Sequence, residues 1–106
     1  MLDFSYQDRQ LSSELPIPED GKSSKVLLDN AQTKVMLFAF AAGAGLAEHL
    51  APSHAIIQVL SGEGMLTAGN RTIEAQAGTW LQMSPKTPHS ISATTPLVMT
   101  LTLFKE

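Results

Sequence analysis

Apolar and polar side chains alternate at every second residue along most of this chain, and no helical period competes with that rhythm. From Leu97 to Phe104, the residues Leu97, Met99, Leu101 and Leu103 share one face, and Val98, Thr100, Thr102 and Phe104 share the other. Thr72, Glu74 and Gln76 alternate with Ile73, Ala75 and Ala77 in the same way. A strand points successive side chains to opposite sides, so these runs predict strands with one wet face and one core face. Gly69-Asn70, between the segments at 63–68 and 72–75, predicts a tight hairpin because both residues tolerate positive φ. Gly62, Gly78, Pro85, Pro88 and Pro96 punctuate the remainder at short intervals. Short strands with frequent turns predict an all-β sandwich or barrel.

A length of 106 residues suits one domain with a single core. The first 24 residues, with Pro16, Pro18, Asp20 and Gly21, read as an irregular arm, and 25–106 as the barrel. The absence of cysteine excludes disulfides and thiolate metal sites. A net charge of −3 offers no basic footprint, so nucleic acid is not an expected partner. The opening MLDFSYQDRQ lacks the basic-then-apolar order of a secretory signal. The stretch from Val35 to Ala47 is broken by Gly43 and Gly45 and is too short to span a bilayer. The expectation is therefore a soluble, cytoplasmic protein with no membrane partner.

Charged residues make up only 16% of the chain, little for a small monomer that must coat its own surface. Residues 35–40, Val-Met-Leu-Phe-Ala-Phe, are apolar on both faces, so the outer face needs a cover as well. The arm or a second copy would serve, and a second copy is the favoured reading. The expected assembly is a homodimer.

For chemistry, the chain offers three histidines, at 49, 54 and 89. His89 alternates with Ile91 and Ala93 and so points with the apolar residues into the barrel. A lone histidine on such a face is more often a satisfied core residue than a ligand. No nucleophile elbow surrounds Ser53 or Ser84, and neither Gly43-Ala44-Gly45 nor Gly62-Glu63-Gly64 forms a nucleotide fingerprint.

Two stretches carry a family resemblance. Gly45-Leu-Ala-Glu-His49-Leu-Ala-Pro-Ser-His54-Ala55-Ile-Ile-Gln58-Val-Leu-Ser-Gly62 resembles the first cupin motif. Gly78-Thr-Trp80-Leu-Gln-Met83-Ser84-Pro85-Lys86-Thr-Pro88-His89 resembles the second. Together they make up 30 of the 106 residues and are most similar to small single-domain bacterial cupins of the conserved-barrel, RmlC-like type. The resemblance implies a double-stranded β-helix, or jelly-roll barrel, with a site inside it.

Carried over position by position, the resemblance supplies half a metal site. His49 matches the first histidine of motif one and His89 the histidine of motif two. Ala51 stands at the second histidine position and Ala55 at the glutamate position. Ser84 and Lys86 replace the proline and glycine of motif two, and Ala93 occupies its asparagine position. A divalent ion, if bound, would use His49 and His89, with His54 as the nearest candidate to complete the set. Simple alternation sends His54 to the face opposite Ala55, along with Gln58. Gln58 is a candidate pocket donor, or an edge amide. Met83 is a candidate pocket wall, or a gap-filling core residue.

The favoured function is small-molecule binding in the barrel cavity by His49, Gln58, Met83 and His89. The alternative is a metal-dependent cupin enzyme, of oxygenase or isomerase type, using His49 and His89. A barrel serving only as a dimeric scaffold with a filled interior is the third reading.

Overall fold

A computed structural model of the protein describes residues 4–105. After a 3-10 turn at Leu11–Ser13 come nine strands: β1 Lys22–Asp29, β2 Thr33–Phe40, β3 Gly45–Leu50, β4 Ala55–Ser61, β5 Gly64–Ala68, β6 Arg71–Ala75, β7 Trp80–Met83, β8 Pro88–Ala93 and β9 Leu97–Phe104. They form a five-stranded sheet ordered β1-β2-β9-β4-β7 and a four-stranded sheet ordered β3-β8-β5-β6. All pairings are antiparallel. This is the expected jelly-roll barrel. No helix among the described residues is long and apolar enough to cross a membrane.

Alternation decides which side chains meet between the sheets. Phe38 and Phe40 of β2, Leu97, Met99 and Leu101 of β9, and Ile57 and Val59 of β4 face Leu66 of β5 and Ile91 of β8. The two phenylalanine rings stack with centroids 5.8 Å apart. The predicted hairpin closes through Gly69-Asn70, with Ala68 opposite Arg71. β1 begins at Lys22, inside the segment read as an arm, and pairs with β2 along its length.

Two glycines explain why the first motif begins and ends as it does. A Cβ on Gly45 would lie 2.0 Å from the Ile91 carbonyl oxygen, so β3 could not approach β8 with any other residue there. At Gly62 the φ of +89° favours glycine, and a Cβ would lie 2.0 Å from the Pro96 carbonyl oxygen.

The cover of β2 differs from the favoured expectation. Leu37 and Ala39, on its outer face, are fully buried within a single chain. Together with Val98 they pack under Leu11 and Leu15 of the arm, flanked by Leu27 and Leu60. The arm, not a second copy, closes this strip. Glu14 pins it in place, accepting hydrogen bonds from Arg9 and, at 2.8 Å, from Lys25 of β1. Burying a leucine side chain contributes about 1.5–3 kcal/mol, enough to hold an irregular segment that has no strand pairing of its own.

Candidate functional site

β3 and β8 run side by side, and their register sets His49 directly opposite His89. The ring centroids are 4.1 Å apart and the planes are tilted by 60°. His89 is 4% exposed, whereas His49 lies at the rim and is open to solvent. Alternation predicted the inward aim of His89, which shares its buried face with Ile91 and Ala93.

Each ring is held by the backbone carbonyl two residues before it. Nδ1 of His49 lies 3.0 Å from the Ala47 carbonyl oxygen, and Nδ1 of His89 lies 2.9 Å from that of Thr87. A carbonyl only accepts, so in each neutral ring Nδ1 carries the proton and donates it. Each Nε2 is then left with a free lone pair. Neither makes a hydrogen bond among the described residues, and no described side-chain polar atom is both buried and unpartnered. The pair therefore presents two acceptors to whatever approaches.

The space beside them is narrow and apolar. A cleft is lined by His49 and His89 together with Leu46, Ile57, Ile91 and Met99. The volume open to the centre of a water molecule is about 10 Å³, near the least that holds one water. The barrel is thus almost filled. Replacing two ligand positions by Ala51 and Ala55 has not opened a large cavity. Ala55 is itself buried in the core, and Met83 stands opposite it across the β4–β7 pairing.

A metal ion fits these residues poorly. The described residues contain no group of three or more histidine, cysteine, aspartate or glutamate side chains that could hold one. Two neutral imidazoles fall short of the three or four protein ligands that a resident divalent ion normally requires, and no carboxylate joins them.

The other candidates lie elsewhere. Strand β4 starts at Ala55, whose side chain turns inward, so His54 is thrown to the outside of the five-stranded sheet. There it meets Gln82, with Nδ1 3.5 Å from the amide nitrogen. The structure does not bring His54 to the pair. Gln58 points outward from β4 and is exposed. Met83 is buried in the core without lining the cleft. Residues that the sequence reading passed over, Leu46 and Met99, form its walls.

Lys86 holds a backbone conformation that its residue type rarely takes. It replaces a motif glycine yet keeps a glycine-like φ of +66°. Pro85 before it and a 3.3 Å hydrogen bond from the Thr87 N–H to the Ser84 carbonyl mark a type II turn. The Lys86 N–H donates to the Ala51 carbonyl at 2.8 Å, tying this turn to the loop that follows His49.

Comparison with known proteins agrees with the fold. A family model for the cupin domain matches residues 36–104, and the chain belongs to that family. A conserved protein of unknown function from Streptococcus pyogenes superposes with a TM-score of 0.86 at 23% identity, over 98% of this chain and 91% of its own. A cupin superfamily protein from Desulfitobacterium hafniense gives 0.87 at 21% identity, over 100% and 99%. A mutant salicylate 1,2-dioxygenase from Pseudoaminobacter salicylatoxidans gives 0.74 at 15% identity, over 87% of this chain but 29% of that one. At these identities the likeness shows the fold alone. No curated protein matches the chain.

Proposed function

We propose that this cupin binds a small molecule at the mouth of its barrel, without a resident metal, through the Nε2 atoms of His49 and His89. The observation that carries the reading is the double Nδ1 anchorage, which leaves an acceptor nitrogen on each of two rings that line an apolar cleft. Acceptors select donors. The ligand class is therefore a compact apolar molecule bearing a hydroxyl or an amine, not a carboxylate. Because the cleft admits little more than one water, only that polar group enters, and the rest of the ligand lies over exposed His49.

A metal-dependent enzyme is the second reading. One feature favours it, since an imidazole held through Nδ1 is also the tautomer that ligates metals through Nε2. The two-member donor set weighs against it.

Ligand-observed NMR with phenol, benzylamine and benzoate separates these readings. The proposal expects phenol or benzylamine to bind, benzoate not to, and binding to vanish in His49→Ala and His89→Ala. Chelator should change nothing. Binding that requires an added divalent ion, or retention of more than about a tenth of an equivalent of metal after purification without a histidine tag, would favour the enzyme instead. Silence from all probes, together with unchanged stability in both histidine variants, would leave a filled scaffold.

A further inference from the structure

The outer face of the four-stranded sheet carries a second cavity, far roomier than the histidine cleft. It measures about 370 Å³, and Glu63, Met65, Glu74, Gln76 and Thr94 line it. Met65 stands directly opposite Glu74 across the β5–β6 pairing. Leu66 is fully buried and Met65 is 36% exposed, so alternation turns Met65 and its partner Glu74 away from the barrel interior. Glu63 lies two residues before Met65, and Gln76 two after Glu74. The histidines face the other side of this sheet and lie toward its other end, since β5 sets Gly64 opposite Ala93 but Ala68 opposite His89. Both rims of the cavity are fixed by hydrogen bonds. The Glu63 N–H donates to Thr95 Oγ1 at 2.9 Å, and the Glu63 carbonyl accepts from the Thr94 and Thr95 N–H groups at 2.9 and 3.1 Å. The Gln76 N–H donates to Thr79 Oγ1 at 3.0 Å, and its carbonyl accepts from the Thr79 N–H at 2.9 Å.

We infer that this cavity binds a short alkyl diamine, with one ammonium at each carboxylate and the methylene chain over Met65. The order of the parts carries the assignment. Met65 is the cross-strand neighbour of Glu74 and follows Glu63 by two residues, so an apolar thioether separates two negative groups. A diamine repeats that order as charge, methylenes, charge, and alkylammonium stems lie well along apolar surface. The carboxylates accept hydrogen bonds only, while ammonium groups only donate them. No lysine, arginine or histidine lines the cavity. The ion pairs among the described residues join Arg9 and Lys25 to Glu14 and Lys105 to Asp29, and none reaches Glu63 or Glu74. Two like charges on one wall repel an anion and are left uncompensated by a neutral polyol. A bare divalent ion suits the cavity less well than a small molecule. Calcium takes about six to eight oxygen ligands, and the volume falls in the small-molecule range of about 300–1,000 Å³. Fixed rims lower the ordering cost of binding.

Amide ¹H–¹⁵N spectra of the full chain, titrated with 1,4-diaminobutane at constant ionic strength, test this directly. The Met65, Glu74 and Gln76 signals should shift and saturate, with a Kd of about 1 mM or tighter. Glu63→Gln and Glu74→Gln, both at exposed positions, should fold, as circular dichroism would confirm, and each weaken the diamine by about fivefold or more. Butylamine, with one charge, should weaken by a similar factor. Met65→Ser should weaken the diamine and leave its preference over butylamine intact. His49→Ala should bind it as wild type does, which separates this cavity from the histidine cleft. Shifts that never saturate, or that added sodium chloride reproduces, would overturn the proposal. So would 1,4-butanediol binding as tightly as the diamine, calcium ion displacing the diamine at lower concentration, or binding that survives both glutamine substitutions but is lost in His49→Ala.

Discussion

The inner and outer faces of the five-stranded sheet are built from the same alternating strands but end in different states. Inside, Phe40, Leu97 and Met99 pack against the opposite sheet until the cleft beside His49 and His89 has room for about one water. Outside, one strip lies under two arm leucines, while the side chains around Gln58 and Trp80 stay bare and uncharged. Alternation fixes which face a side chain joins. It does not fix what covers that face. The inner face is closed by the second sheet, and the outer face is closed only where a segment of separate sequence reaches it.

The sharpest way to break this contrast is to truncate one side chain in each half of the outer face. Leu37→Ala should cost about 2–4 kcal/mol, as at a core site, because the arm buries it. Ile56→Ala, outward on the same sheet but beyond the arm, should cost less than about 1 kcal/mol in the monomer. Denaturant melts of dilute protein measure both, and equal losses would mean that the arm does not set the two halves apart. Lys86→Gly should raise stability by roughly 0.5–1 kcal/mol, since it relieves a side chain held at positive φ. A loss of stability would show that the lysine side chain contributes more than its backbone strain costs.

A smaller effect concerns the arm's anchor. The hydrogen bond from Lys25 holds the Glu14 carboxyl below its ordinary value of 4.5, with the charge of Lys25 and then Arg9 adding to it and desolvation opposing. A lowered folded value means that this contribution is present above 4.5 and is lost as pH falls through the lowered value. Methyl NMR shifts of Leu15 and Leu37 should therefore move toward undocked positions as the solution is acidified across that interval. Glu14→Gln should remove the pH dependence. Smallest of all, His54→Ala should change stability by less than about 0.5 kcal/mol and leave binding at the cleft untouched.

Much of the fold was legible because strand geometry acts locally. The faces of Leu97–Phe104, the Gly69-Asn70 turn and the inward aim of His89 all follow from a period of two. The pairing of His49 with His89 came from the family resemblance, since their contact spans two strands distant in sequence. The cover of Leu37 was not legible, because alternation says nothing about which remote segment packs on a face. Leu11 and Leu15, apolar residues four apart in a polar arm, were the available signal. The size of the cleft was hidden for a related reason. Two alanines at ligand positions suggest a void, but the remaining space depends on how Ile57, Met99 and their neighbours fill the interior. The conformation of Lys86 could have been read from Pro85 followed by a residue at a motif glycine position.

The account rests most heavily on the two rings and the nitrogen each leaves free. A long-range ¹H–¹⁵N correlation spectrum of the histidine side chains, recorded on neutral rings before and after chelator, reads both directly. For His49 and His89 it should show the proton on Nδ1, a bare Nε2, and no change when chelator is added. A proton on Nε2 of either ring, or Nε2 signals that move once metal is stripped away, would contradict a metal-free acceptor pair.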